Sequence, residues 1–390
     1  MKKFTYIDIF AGCGGLSLGL YNSKKWSGFF AVEKNKDAFE TLRYNLIDKK
    51  KHFSFPKWLI EKEHDINEIL KDKNLKQYTE KVDLVVGGPP CQGFSLAGKR
   101  NKNDARNSLI NSYLKFIKIV QPKVLFFENV KGFEVAFKGK DKKPASKKVI
   151  EELKKMGYKD AMYEILNFSK FGIPQSRKRV IIIATKKGNA KDFFIFLKKQ
   201  SSKVLRKRGL KNSVTLEEAI SDLCKKGEII ESSDSKGFLM GKYRILKSGY
   251  QKYMRKDSFL QSPDSHRFAN HAKKTEEKFL QIIKEKLSSK EIQIKFNTKK
   301  TSTKLLNKNN PSPTITTLPD DYVHYKEPRI LTVREYARIQ SFPDNFEFKG
   351  KYTTGGKLRK KDVPRYTQIG NAIPPLFGEQ AGIILAQLLK

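Results

Sequence analysis

Cysteine and histidine are scarce, with three and five in 390 residues. Cys13, Cys91 and Cys224 show no CxxC spacing, which excludes a disulfide framework and a cysteine-based zinc site and suits a reducing compartment. No HExxH occurs, so the sequence gives no reason to expect a catalytic metal. Long apolar runs are missing as well, and the mean hydropathy of −0.59 leaves no segment fit to span a membrane. The opening Met1-Lys2-Lys3 leads into an apolar run, Phe4–Phe10, too short for a signal peptide and suited to a first strand. Acidic residues are the other deficit: Asp+Glu number 41 against 80 Lys+Arg, a net charge of +39. Such an excess points to a polyanionic partner, because phosphates supply affinity that is independent of sequence; lysine-rich composition from base bias is the competing explanation.

The first half alternates apolar strands with helical patterns, which predicts an α/β fold with a parallel sheet covered on both faces. Expected strands are Thr5–Phe10, Gly28–Glu33, Val82–Gly87, Lys123–Asn129, Ala161–Phe168 and Arg179–Thr185. Leu109, Tyr113, Phe116, Ile117 and Val120 recur at helical spacing, as do Val149, Leu153 and Met156. From about 186 to 322 the rhythm breaks into Lys-, Ser- and Asn-rich sequence, with one expected helix at Thr275–Leu287. Order returns at Leu331–Gln340, where Thr332 stands three residues before Glu335 as in a capping box. A last helix is expected over Leu376–Leu389. Three segments follow: 1–185, 186–322 as a smaller domain or large insertion, and 323–390, where order resumes.

Four constellations carry chemistry. The glycine turn Gly12-Cys13-Gly14-Gly15 ends the first strand, where backbone can approach a ligand closely. Glu33 ends the second strand, where an acid can bind ribose hydroxyls, and Asp65 could accept from an adenine amino group. Together they favour an adenosine-containing cofactor, either NAD or S-adenosyl-L-methionine, although the turn is not GxGxxG. Next, Gly87-Gly88-Pro89-Pro90-Cys91-Gln92-Gly93-Phe94-Ser95 places a cysteine at the carboxyl end of a strand, suited to a nucleophile. Glu128 ends another buried strand. Desolvation there would keep it protonated as a general acid, unless an ion pair intervenes. Lastly, Gln175, Arg177 and Arg179 alternate, so their side chains would share one face and could fix phosphate or a base edge.

In this order the segments resemble the DNA (cytosine-5) methyltransferase family of the bacterial restriction-modification type, over nearly the whole chain. The resemblance rests on Asp8–Gly15, Pro90-Cys91-Gln92, Glu128-Asn129-Val130, Gln175–Arg179, Arg329-Ile330-Leu331-Thr332-Val333-Arg334-Glu335 and Gln368–Pro375. It implies a Rossmann-like S-adenosyl-L-methionine-dependent methyltransferase sheet built from 1–185 with 323–390 packing back on it, and a smaller target-recognition domain over 186–322. In that family Cys91 would attack carbon 6 of a flipped cytosine, Glu128 protonate N3, Arg179 hold O2 and Arg177 support the site. Cofactor contacts would fall on Phe10, Gly12, Gly14, Gly15, Leu16, Glu33, Lys34, Asp65, Ile66, Pro89, Leu109, Asn371 and Ala372. DNA contacts would fall on Ser95, Arg106, Thr316 and Thr317. Arg106-Asn107-Ser108 and His64-Asp65-Ile66 depart from the family's usual Arg-Gly and Gly-Asp-Ile. Double-stranded DNA would be the substrate, with a cognate restriction endonuclease as functional partner, and the protein a cytoplasmic bacterial monomer.

Other readings compete less well. A non-catalytic DNA-binding protein has no use for Cys91, Glu128 and the arginines. The family's tRNA branch carries Cys-Phe-Thr, whereas Cys224 is followed by Lys225 and Lys226. Amino-methylating enzymes place an aromatic residue after Pro-Pro, and a nicotinamide oxidoreductase ranks last.

Overall fold

The computed structural model describes residues 2–90, 108–136, 143–225, 227–258, 262–354 and 362–390. It divides into two compact units. The first comprises Met1–Phe168, Lys178–Val204 and Pro375–Lys390, and the second Ser169–Arg177 and Leu205–Pro374. These boundaries run differently from the three segments expected, since 323–374 clusters with the second unit.

In the first unit the apolar runs form β1 (Phe4–Ile9), β2 (Trp26–Val32), β3 (Leu84–Gly87), β4 (Val124–Val130) and β5 (Asp160–Asn167). The short β6 (Gln175–Ser176) lies in the second unit, and β7 (Lys178–Thr185) returns to the first. The sheet order is β2-β1-β3-β4-β7-β5. β3 is buried at every residue, as the continuous apolar runs of a doubly covered sheet require. The sheet is mixed rather than wholly parallel, because β7 runs antiparallel to both β4 and β5. The link over 168–177 is shorter than the dozen or so residues a parallel crossover needs, so the chain returns antiparallel.

The helices α1 (Gly15–Asn22), α2 (Lys36–Leu42), α3 (Ile66–Ile69), α4 (Ser108–Val120) and α5 (Ala145–Lys155) follow the strands. The two expected stripes are core: Tyr113, Phe116, Ile117 and Val120 on α4, and Val149 and Leu153 on α5, are buried. An eighteen-residue helix, α6 (Ala190–Lys207), stands where the sequence showed no clear period. It buries Ala190, Phe193, Phe194, Leu197 and Leu205 while its interspersed lysines blur the pattern.

The second unit is built on α7 (Leu216–Ile220), α8 (Gly249–Arg255), α9 (Lys273–Glu285), α10 (Ser289–Lys295), α11 (Val333–Ile339) and α12 (Arg365–Asn371). The chain then re-enters the first unit as α13 (Pro375–Leu388), which packs on α1. The two helices cross so closely that a Cβ on Gly19 would lie 2.5 Å from the Gly378 backbone. The Trp26 indole N–H closes the contact on the Gly382 carbonyl at 2.8 Å.

Arg329–Gln340 is an inward-facing polar scaffold. Thr332 and Glu335 form the expected capping box at the start of α11. Arg329 donates to both Glu335 oxygens, at 2.8 and 2.7 Å, and to Glu327 at 2.8 Å. Arg338 lies buried between Asp344 and Asp222. Removing one partner from a buried pair leaves the other charge uncompensated. Glu335→Ala is therefore expected to lower unfolding stability by about 3–5 kcal/mol in a denaturant titration.

Candidate active site

Where β1 ends, three residues take positive φ within a short span: Phe10 at 62°, Gly12 at 55° and Gly14 at 89°. The turn delivers the chain into α1, and at Gly14 a Cβ would meet Leu46 at 2.8 Å. Beside Gly12 no described atom lies within 4 Å of the place a Cβ would take, so the loop backs onto open space. The Gly12 N–H donates to Glu33 Oε2 at 2.9 Å, and the Asn35 N–H to Glu33 Oε1 at 2.8 Å. Burial pushes the Glu33 pKa up. Each of its oxygens retains a second lone pair for a hydroxyl donor. Across the strand ends, Ile9 and Gly87 are paired in register, and a Cβ on Gly87 would come 2.5 Å from the Ile9 carbonyl.

Lys34 binds Asp65 at 2.7 Å, and Asp65 also caps α3 by accepting from the Asn67 N–H at 2.8 Å. Burial pushes Asp65 upward, but the hydrogen bonds from Lys34 and Asn67 outweigh it and hold its pKa low. Leu16 and Ile66 are buried, while Phe10 and Leu109 pack against the core with part of their surface exposed. An open glycine backbone, a strand-end acid with spare acceptors and an aromatic ring are a donor and acceptor set that fits an adenosine group.

The second cluster forms at the ends of β3 and β4. Val130 lies opposite Arg179 in the β4–β7 ladder, so Glu128, two residues back, shares that face and becomes Arg179's diagonal neighbour. Arg179 Nε stands 2.9 Å from Glu128 Oε1, with the two side chains only 12% and 11% exposed. The arrangement found is thus the ion-paired one. Burial lowers the Arg179 pKa, and the carboxylate opposes that shift. Asn129 Nδ2 donates to the Pro89 carbonyl at 3.2 Å, and a Cβ on Gly88 would lie 3.0 Å from Glu128 Oε2. The Gly88-Pro89 root of the cysteine loop therefore lies against Glu128. Cys91, Ser95 and Arg106 themselves fall outside the described residues.

The remaining site candidates belong to the second unit. Gln175 is buried, accepting from the Ile315 N–H at 3.1 Å and donating to Gln340 Oε1. Arg177 is buried too, but its N–H bonds back to the Gln175 carbonyl at 3.0 Å. That bond kinks the chain between β6 and β7 and interrupts the expected alternation. Thr316 donates to Asp321 Oδ2 at 2.6 Å and accepts from the Leu318 N–H at 3.2 Å, so its hydroxyl shapes the turn. The Thr317 carbonyl accepts from Thr367 Oγ1 at 3.4 Å. Asn371 ends α12 exposed, followed by half-buried Ala372.

Residues 4–383 match the family model for C-5 cytosine-specific DNA methylase. The chain belongs to that family. The methylase is 34% identical to the type II methyltransferase M.DdeI of Desulfomicrobium norvegicum, over 96% of its own length and 86% of the relative's. It is 30% identical to M.Sau96I of Staphylococcus aureus, covering 100% of this chain and 77% of that one. Among solved structures, a protein described as a DNA modification methyltransferase encoded within an E. coli prophage superposes with a TM-score of 0.64 at 23% identity, covering 99% of each chain. The S. pombe Dnmt2 methyltransferase superposes with a TM-score of 0.54 at 17% identity, covering 99% of this chain and 98% of that one. Both likenesses speak to fold alone.

Two clusters in the methylase escaped sequence reasoning. Cys224, His324 and Glu327 are buried with ligand-type atoms within 4.8 Å of one another. Most of their ligand atoms are engaged internally: Glu327 accepts from the Lys225 N–H at 2.8 Å and from Arg329, His324 Nδ1 faces the N–H groups of Lys326 and Glu327, and His324 Nε2 stands 3.8 Å from Glu335 Oε1. Burial pushes the Cys224 thiol up to about 11, and the Arg329 guanidinium beside the cluster disfavours a cation.

Asp8 is the other. It is buried behind the glycine loop, accepts from Ser17 Oγ at 2.5 Å and holds α1 to β1. Burial raises its pKa to about 7, Ser17 opposing the shift and Glu33 adding to it. The folded state thus retains a proton that the unfolded chain releases near pH 4, and this contribution to stability falls as pH rises to about 7. Asp8→Asn keeps an acceptor for Ser17 without the charge. It is expected to gain stability over the parent by up to about 4 kcal/mol at pH 8 and little at pH 4, compared by thermal unfolding.

Proposed function

We propose that this methylase carries its activity on Cys91, Glu128, Arg177 and Arg179, with S-adenosyl-L-methionine at the glycine loop. The observation that supports the reading best is the Glu128–Arg179 pair standing against the Gly88-Pro89 root of the Cys91 loop. A cytosine presents N3 and O2 on adjacent atoms, and a carboxyl beside a guanidinium is complementary to that edge. Extruding the base from the duplex is what brings its ring within reach of protein groups.

Carbon 5 of cytosine is weakly nucleophilic. Cys91 Sγ, as thiolate, would bond to carbon 6 while Glu128, taking up a proton as the entering base displaces its pairing with Arg179, gives that proton to N3 and Arg179 turns to O2, leaving carbon 5 enamine-like. S-adenosyl-L-methionine supplies an electrophilic methyl group on its sulfonium. With a methyl so supplied to carbon 5, the carbon-5 proton would pass to water, the Cys91–carbon 6 bond would break with its electron pair returning to sulfur, and N3 would return its proton to Glu128. An arginine close to the thiol would favour the thiolate. Cofactor contacts are assigned to the glycine loop and Glu33, to Pro89 and Leu109, and to Asn371 and Ala372. Lys34 and Asp65 form the outer edge.

Residues 186–322, with Thr316 and Thr317, are assigned to target recognition in the major groove, joined by Ser95 and Arg106. The type II relatives favour a restriction-modification role; a cognate endonuclease and a cytoplasmic, monomeric protein complete the proposal. No helix among the described residues is long and apolar enough to cross a membrane.

In a labelled-methyl assay on duplex DNA, Cys91→Ser is expected to abolish product. Glu128→Gln should slow transfer by roughly 10²–10⁴-fold while leaving DNA affinity nearly unchanged. Retained turnover in the first, or equal loss of binding and transfer in the second, contradicts the assignment. Bisulfite sequencing of the modified DNA reports base and context together.

A further inference from the structure

Two backbone groups of opposite polarity are joined in the second unit by a relay of buried amides. The Ile315 N–H donates to Gln175 Oε1 at 3.1 Å, Gln175 Nε2 donates to Gln340 Oε1, and Gln340 Nε2 donates to the Ala372 carbonyl. Ile315, Gln175 and Gln340 are buried, so water cannot substitute for these bonds. One end of the relay is a donor and the other an acceptor, so each intervening side chain must accept on one side and donate on the other. An amide does both; an ionised carboxylate only accepts, and an alkyl group does neither.

The relay spans two segments with different assignments. Ile315 directly precedes Thr316 and Thr317, while Ala372 directly follows α12. The same segments also touch along α12: a Cβ on Gly370 would lie 2.6 Å from the Thr316 carbonyl, and Thr367 Oγ1 bonds the Thr317 carbonyl at 3.4 Å. The Thr316–Thr317 backbone and Ala372 are thus joined by a continuous chain of hydrogen bonds and close contacts.

We propose that Gln340 is a positioning residue that couples DNA at the Thr316–Thr317 segment to cofactor at Asn371–Ala372. The inference rests on the assignment of those two segments made above. Coupling between sites is reciprocal, so DNA and cofactor must raise each other's affinity by one common factor.

The test measures the dissociation constant of S-adenosyl-L-homocysteine with and without a duplex carrying the methylated site, and that of the duplex with and without S-adenosyl-L-homocysteine. The parent protein should show a common factor of about 5-fold or more. In Gln340→Leu, and in Gln175→Glu, which keeps the acceptor for Ile315 but cannot donate to Gln340, the factor should fall to near one. Gln340→Glu should lose it at pH 8 and regain part of it near pH 6, where a protonated carboxyl again accepts and donates; Gln340→Leu should not recover. Gln251→Leu is the folding control. Gln251 is equally buried in this unit, bonding Ser221 at 2.8 Å and the Lys247 N–H at 2.7 Å outside the relay, and its loss should leave the factor intact. No coupling in the parent, full coupling in Gln340→Leu, or equal loss in Gln251→Leu overturns the proposal. Ala372→Leu separates the two levels. If it leaves S-adenosyl-L-homocysteine binding unchanged, the cofactor assignment falls and this inference with it. If it weakens binding while Gln340→Leu stays coupled, this inference alone fails.

Discussion

The contact between Glu128 and Arg179 exists because one strand runs against its neighbours. With β7 antiparallel to β4, Val130 faces Arg179 and the carboxylate two residues back becomes its diagonal neighbour. A parallel β7 would enter the sheet from the other end and carry Arg179 away from the carboxyl end of β4. The next residue, Asn129, holds the Pro89 carbonyl, so the same strand end fixes the root of the cysteine loop. Sheet direction, ion pair and loop root are thus one geometric unit.

The second unit sets buried charge among its apolar core residues, which include Tyr336, Phe342, Phe346 and Phe348. Arg329, Arg334 and Arg338 point inward, each paired with carboxylates, and Glu335 serves Arg329 and the cap of α11 at once. Such pairs add little net stability over an apolar packing, but losing one partner is expensive, which makes the arrangement specific rather than strong. These arginines are withdrawn from any phosphate contact, so the excess positive charge available to DNA resides mainly on exposed lysines. Many acids meet those lysines in solvent-exposed pairs, such as Lys155–Glu152 and Lys211–Glu218, which contribute little to stability.

Much of this was legible in the sequence. Short apolar runs located the six strands of the main sheet within a residue or two, and local spacing found α4, α5 and the Thr332–Glu335 cap. Strand direction was not legible, because a period of two is the same whichever way a strand runs; only the short 168–177 link hinted at the reversal. The ion pair at Glu128 was missed as the leading arrangement because it depends on register between β4 and β7. α6 was hidden by lysines among its buried phenylalanines. Asp8 and Gln340 carry no local signal, since their partners Ser17, Gln175 and Ala372 are set by tertiary structure. Cys91 is the converse, singled out by the sequence but lying outside the described residues.

The central claim is a transient bond between the Cys91 sulfur and carbon 6 of a cytosine held by Glu128 and Arg179. A duplex carrying 5-fluorocytosine at the methylated position, incubated with S-adenosyl-L-methionine, tests it most directly, since fluorine blocks the loss of a proton from carbon 5. The account predicts a stable adduct that mass spectrometry maps to the peptide containing Cys91, and its loss in Arg179→Ala protein that still binds DNA. Active enzyme that leaves no adduct on Cys91 would contradict it.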